Sequence, residues 1–213
     1  MKRLAVLGTL LLAACAGGPP PPDWQLEAHG ALAAYKAAYL KGEERNASLE
    51  FARARSELAS TGRAELVAKA ELTRCALRTA SLEFDDCPGF APLAADAGSA
   101  ARAYAAYLAG RWEGLDASLL PEAQRATVAG GTAAPIADPL SRLVAAGVLL
   151  RTKRIAPPDI AGAIEAASAE GWRRPLVAWL GVEERRAQAA GDTEAATSIR
   201  RRIELVLGEK SKP

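Results

Sequence analysis

Apolar residues recur along most of this chain at spacings of three and four, the period that gives an α-helix one buried face. Glycine and proline divide the pattern into helical segments: 23–41, 43–60, 62–83, 99–109, 112–129, 139–152, 158–170, 174–190 and 192–207. Gly42 and Gly62 stand where a helix can end in the left-handed conformation, and Asp192 is placed to cap the last segment. The short connections predict antiparallel neighbours.

The third segment is apolar on two nearly opposite faces. One row consists of Leu66, Ala70, Thr73, Leu77, Ala80 and Phe84. The other row, displaced by roughly 200° at about 100° per residue, consists of Ala68, Leu72, Cys75, Thr79 and Leu82. A helix of this kind packs between two layers, so we expect it in the interior of the domain.

The composition also favours helices. Half of the residues are apolar and only 5% are aromatic, and alanine and leucine, both strong helix formers, dominate the apolar set. β-branched residues, which strands prefer, are sparse. We therefore predict an all-α fold, with a single helical domain over residues 23–208 and a disordered tail over residues 209–213.

The first fifteen residues have the order of a secretory leader. Two basic residues precede an apolar run over residues 4–12, and the small residues Ala13 and Ala14 then precede Cys15. The apolar run is too short to span a bilayer as a helix. The four residues that end at Cys15 resemble the lipobox of bacterial lipoproteins.

This resemblance implies a signal peptide over residues 1–14 and a lipidated Cys15 at the start of a proline-rich tether, residues 15–22. In bacterial lipoproteins, an aspartate directly after the lipidated cysteine is typical of retention in the inner membrane. This chain has Ala16 at that position instead. The resemblance therefore implies attachment to the outer membrane, facing the periplasm, through the lipid on Cys15. The alternative is an ordinary secretory signal cleaved after Ala16 or Gly17.

A second resemblance lies around the first predicted turn. A small residue in the turn is followed five, nine and twelve positions later by a small, an aromatic and a small residue: Gly42, Ala47, Phe51 and Ala54. This order resembles the tetratricopeptide repeat and implies stacked antiparallel αα-hairpins that form a superhelix. No strict 34-residue period runs through the chain, so an irregular helical bundle is the alternative.

Two cysteines remain in the body of an exported chain, and an oxidising compartment favours their pairing. After Cys75 the predicted helix rises about 10 Å to its end, and the residues up to Cys87 can span that distance on the way back. Asp85, Asp86 and the Pro-Gly that follows Cys87 have turn-forming chemistry. We predict a Cys75–Cys87 disulfide; the alternative is a buried thiol at Cys75 and an exposed one at Cys87.

Charge narrows the choice of partner. Removal of the leader also removes Lys2 and Arg3, which leaves 25 basic and 25 acidic side chains. The remaining chain lacks the basic excess of a nucleic-acid-binding protein. The last two helices carry the clustered arginines Arg185, Arg186, Arg200, Arg201 and Arg202. These arginines are candidates for binding anionic lipid, lipopolysaccharide or an acidic partner, and the alternative is a solvated helix face.

The residues that catalysis or metal binding needs are scarce. His29 is the single histidine, so no metal site that needs two histidines can form, and a Ser-His-Asp triad would have no second histidine to draw on. The sequence predicts no metal and no cofactor. The aromatic residues Tyr104, Tyr107, Trp112, Trp172 and Trp179 could line a groove, although core packing is their commoner fate.

Together the leader and the helical pattern predict a non-enzymatic binding or scaffold module in envelope or secretion assembly, with an envelope protein as partner. The partner class rests on the likeness to tetratricopeptide lipoproteins alone. The alternative is a cell-wall enzyme of the envelope that uses carboxylates for acid–base chemistry.

Overall fold

The structure, a computed structural model, describes residues 20–208. The predictions for Cys15, the signal segment 1–14 and the tail 209–213 lie outside the described residues. Residues 20–208 contain helices and no strand, which confirms the all-α prediction. The α-helices are α1 Asp23–Lys41, α2 Glu44–Ala59, α3 Ala64–Ala80, α4 Ser99–Leu108, α5 Glu122–Gly130, α6 Pro139–Arg151, α7 Pro157–Ala169, α8 Arg173–Ala189 and α9 Thr193–Leu207.

Local sequence sets most of the helix ends. Gly42 closes α1 with a φ of +81°, a left-handed conformation that glycine adopts without steric penalty. The Asp138 carboxylate accepts a hydrogen bond from the Ser141 amide at 2.8 Å, and Asp192 accepts one from Ala195 at 2.9 Å. These side chains cap α6 and α9 as aspartate typically does.

The prediction of one helix over residues 112–129 is wrong. The chain instead makes a single 3-10 turn, Ala117–Leu119, and only then enters α5. Gly114 has a φ of +69° and Pro121 has an extended backbone, ψ 142°, so neither residue continues a helix. Gly114 and Pro121 therefore interrupt the helix, although the apolar residues of this segment have helical spacing.

The two apolar faces of α3 are both buried, as predicted. Leu77 and Ala70 pack in the cluster formed with α1 and α2, whereas Leu72 and Cys75 pack in the larger cluster formed with α4 and α6. Phe84 is an exception, because α3 ends at Ala80 and leaves the Phe84 ring 39% exposed.

The helices α3 and α6 cross without room for a side chain at the contact. Gly147 of α6 faces the Thr79 carbonyl group, and a Cβ at Gly147 would lie 3.1 Å from both the Thr79 carbonyl carbon and its Cγ2. The carbonyl oxygen would lie closer still. This crossing joins the first half of the domain to the second.

From α6 to α9 each helix packs on the next, as in a stack of hairpins. The helix α8 also contacts α1, so the second half of the chain returns to the first. The buried Trp179 indole of α8 donates a hydrogen bond to the Ala80 carbonyl oxygen at 3.0 Å. The fold therefore combines successive hairpins, as in a helical repeat, with a contact between α8 and α1 that is more typical of a helical bundle. Within residues 20–208, no helix combines the length and the apolar character needed to cross a membrane.

Candidate binding groove beside the first hairpin

The residues of the predicted repeat motif meet in the contact between α1 and α2. Ala47, Phe51 and Ala54 are buried there, and Gly42 makes the turn that joins the two helices. The Phe51 ring packs 4.9 Å from the Tyr35 ring, measured between centroids. Small residues at 47 and 54 allow the helices to approach closely, since alanine adds little bulk at a crossing.

A groove of about 380 Å³ lies between this hairpin and α3. We call it the arginine–aromatic groove. Its lining residues are Tyr35, Tyr39, Glu44, Ala47, Ser48, Phe51, Ala52, Arg55, Glu71, Arg74 and Arg78.

A buried carboxylate organises the arginines of the groove. Glu71 is only 4% exposed. Its Oε1 lies 3.0 Å from the Arg55 Nε, and its Oε2 lies 2.7 Å from an Arg74 Nη. The Arg74 guanidinium also lies 4.6 Å from the Phe51 ring centroid, within the range of a cation–π contact. Both arginines are therefore held in fixed positions along the groove.

A fourth arginine reaches the groove from α8. Arg174 donates hydrogen bonds to the Tyr39 carbonyl oxygen at 2.9 Å and to Glu83 at 2.8 Å, and it also pairs with Glu44. Its guanidinium lies 4.3 Å from the Tyr39 ring centroid. Arg174 thereby fastens α8 to the hairpin at the edge of the groove.

The two tyrosines of the groove are neutral. Burial raises the pKa of Tyr35 and of Tyr39 above the ordinary range of a phenol, and Glu83 adds to the rise at Tyr39. The groove thus offers neutral phenols, aromatic faces and charges of both signs. This set can bind a polar ligand of mixed charge.

A cysteine loop borders the other side of the ion pairs. Cys75 and Cys87 lie at disulfide distance, with their Cα atoms 5.3 Å apart, as the sequence predicted. The loop continues to Gly89, where a Cβ would overlap the Glu71 carboxylate and the Arg74 guanidinium. The disulfide therefore holds the loop backbone directly against the Glu71 ion pairs.

The acidic residues of this loop form turn and ion-pair contacts. Asp85 accepts a hydrogen bond from the Cys87 amide at 2.9 Å and lies 2.9 Å from the Arg78 Nε.

The ligand atoms of Cys75, Asp85 and Cys87 lie within 4.8 Å of one another, close enough to hold a metal ion. Sulfurs joined to each other offer no thiolate ligand, so this set fits a metal only after reduction.

The clustered arginines of the last two helices differ in their contacts. Arg186 donates to Glu183 at 2.6 Å and 2.8 Å, and Arg200 donates to Glu184 at 2.8 Å. Arg202 lines a groove between α7 and α9, while Arg185 and Arg201 are exposed. Adjacent helical residues point about 100° apart, so neighbouring arginines have different contacts.

Sequence reasoning missed two residues that organise the groove. Glu71 had a signal, because it is an acidic residue among apolar rows with an arginine three positions later. Arg174 had no local signal, since its partners Glu83 and Tyr39 lie 91 and 135 positions away in the chain. Of the five aromatics, Trp179 and Tyr107 are fully buried, as core packing predicts. Tyr104, Trp112 and Trp172 are only partly buried, and Trp112 lines a separate pocket.

No protein-family model, no curated protein and no solved structure matches this chain. The likeness to tetratricopeptide repeats therefore stays a prediction from the residues that follow Gly42.

Proposed function

We propose that this chain is an outer-membrane lipoprotein, attached through an acylated Cys15, whose helical body is a non-enzymatic binding or scaffold module in envelope or secretion assembly. The observation that carries the binding role is the arginine–aromatic groove. Two of its arginines, Arg55 and Arg74, are fixed by the buried Glu71, and Arg74 lies beside the Phe51 ring.

The position of α1 supports a tethered body. The first helix begins at Asp23, so seven residues, 16–22, separate it from the cysteine of the lipobox. Polyproline geometry rises roughly 3.1 Å per residue, so a segment of this length in that geometry would span about 22 Å. A body at this distance from the lipid surface can meet other envelope proteins.

The chemistry of the groove favours a short polypeptide segment as its ligand. Arginine and aromatic residues contribute a large share of binding energy in protein interfaces, because they offer both apolar area and hydrogen bonds. Here they are held in place before binding, so little side-chain entropy remains to be lost. A volume of about 380 Å³ accommodates a few side chains of a partner.

The anchor is tested by metabolic labelling with a fatty-acid analogue. We expect label on the wild-type protein and none on Cys15→Ser, which should also leave the membrane fraction. A wild-type protein without label would contradict the anchor.

The groove is tested by filling it. Ser48 is exposed and lines the groove, whereas Asn46, two positions earlier, lies on the opposite flank of α2. We expect Ser48→Arg to reduce recovery of the envelope partner by about tenfold, since a blocked interface loses more than 1.4 kcal/mol. Asn46→Arg should retain it. Equal recovery by both variants, at unchanged melting temperature, would contradict the assignment.

A further inference from the structure

A second cavity, of about 670 Å³, opens where α4 and α6 end. Its charged and aromatic lining consists of Arg111, Trp112, Glu113, Arg151 and Arg154. We call it the arginine–tryptophan pocket. It lies outside the groove described above and shares no lining residue with it.

Two similar helix endings build this pocket. The amide of Arg111 bonds to the Ala106 carbonyl oxygen at 2.9 Å, and the amide of Arg154 bonds to the Leu149 carbonyl oxygen at 2.8 Å. Before Arg154, Lys153 has a φ of +58°, a left-handed conformation that is strained for a residue with a Cβ. The surrounding structure thus holds Arg154 in place against a local preference.

A column of stacked rings supports the Arg154 guanidinium. Its central carbon lies 4.8 Å from the Trp112 ring centroid. Trp112 stacks on Tyr107 at 5.9 Å, and Tyr107 stacks on Tyr104 at 6.1 Å. The Tyr107 hydroxyl donates to Gln124 at 2.7 Å inside the core. The column therefore runs from the core to the guanidinium.

Arg151 is fixed by other contacts. It donates to the Asp85 carbonyl oxygen at 2.7 Å and to the Asp86 carboxylate at 2.8 Å. Arg111 lies 3.8 Å from the same Asp86 carboxylate. Arg151 and Arg111 therefore both contact the Asp86 carboxylate at the pocket.

The pocket carries more positive charge than its acids balance. The pocket is lined by Arg111, Arg151 and Arg154, and the exposed Lys153 precedes Arg154 in the chain. The acids are Glu113, which also lines the pocket, and Asp86, which pairs with Arg111 and Arg151. Among residues 20–208, no hydrogen bond or ion pair engages the Arg154 guanidinium; the Trp112 ring is its contact. Its donors are free to bind a ligand.

We infer that the arginine–tryptophan pocket binds a phosphoryl group. Planar guanidinium forks match the oxygens of a phosphate and donate to them in pairs. A phosphate monoester carries a charge of about −1.5 to −2 at pH 7, close to the excess of positive charge at the pocket. A free phosphate compound and a phosphorylated lipid headgroup present the same chemistry.

The test is calorimetric titration of the exported protein at constant ionic strength with inorganic phosphate, glycerol 3-phosphate and a soluble short-chain phosphatidic acid. Arg154→Gln is the test variant. Arg45→Gln, an exposed arginine of α2 far from the pocket in sequence, removes the same charge and is the matched control.

We expect binding that Arg154→Gln weakens by roughly tenfold or more, as for a lost charge-assisted hydrogen bond, and that Arg45→Gln leaves unchanged. Equal binding of glycerol 3-phosphate and the short-chain lipid assigns a free phosphate compound, whereas much tighter binding of the lipid assigns a headgroup. Absence of binding by all three probes, or equal weakening by both substitutions, overturns the inference.

Discussion

Replacement of Gly147 by alanine tests the crossing of α3 and α6, one of the contacts that join the two halves of the domain. A Cβ at this position would lie closer than 3.0 Å to the Thr79 carbonyl oxygen, a separation that real Cβ atoms essentially never show. The obstacle is backbone, so a side-chain rotation cannot relieve it. The helices must move apart.

The magnitude follows from two opposing effects. Alanine inside a helix is favoured over glycine by about 1 kcal/mol. Forced overpacking of a core contact costs roughly 1–3 kcal/mol, and an immovable backbone oxygen places this site at the upper end. We therefore expect the free energy of unfolding to fall by about 1–2 kcal/mol, which lowers the melting temperature by roughly 2–8 °C in a domain of this size.

Gly30 supplies the matched control. It lies within α1, and a Cβ there would meet no atom within 4 Å. Gly30→Ala should therefore raise the melting temperature, because only the helix preference changes. Thermal unfolding followed by far-ultraviolet circular dichroism measures both variants. A Gly147→Ala protein as stable as Gly30→Ala would refute the close crossing.

Three further predictions concern stability. Replacing both Cys75 and Cys87 by alanine should lower the free energy of unfolding by about 3 kcal/mol, the loop-closure value for a short loop; denaturant titration measures it, and unchanged stability would contradict the disulfide. Burial raises the pKa of all four tyrosines, so stability present below pH 10 should be lost as the pH rises. Tyrosinate absorbance should then appear together with unfolding, and its earlier appearance in the folded protein would argue against burial. Lys153→Gly should stabilise the protein by roughly 0.5–1 kcal/mol by relieving a left-handed residue, and a lower melting temperature would contradict this reasoning.

The sequence predicts the helices of this protein well where local signals agree. Gly42 ends α1 through its left-handed backbone, and Asp192 begins α9 through its side-chain hydrogen bond. A single residue therefore suffices to predict each of these helix ends. The double apolar pattern of α3 correctly predicts its interior position, since burial on two faces has a period that can be counted. Helical spacing fails over residues 112–129, where glycine and proline stop the helix.

The groove is harder to predict because its geometry depends on contacts between distant parts of the chain. Phe51 was identified from its spacing after Gly42, but its cation–π partner Arg74 comes from another helix. Arg174 joins three helices through residues that have no fixed spacing from it. Spacing likewise groups Arg186 with Arg200, while each pairs with a glutamate of α8.

We propose that a partner binds the tethered protein in the groove between the first hairpin and α3. A photo-crosslinking residue placed at position 48, and separately at position 46, tests it in intact cells. We expect a discrete crosslinked complex from position 48 that is absent from position 46, because the two side chains lie on opposite flanks of α2. No crosslink at position 48, or the same crosslink at both positions, would contradict binding in this groove.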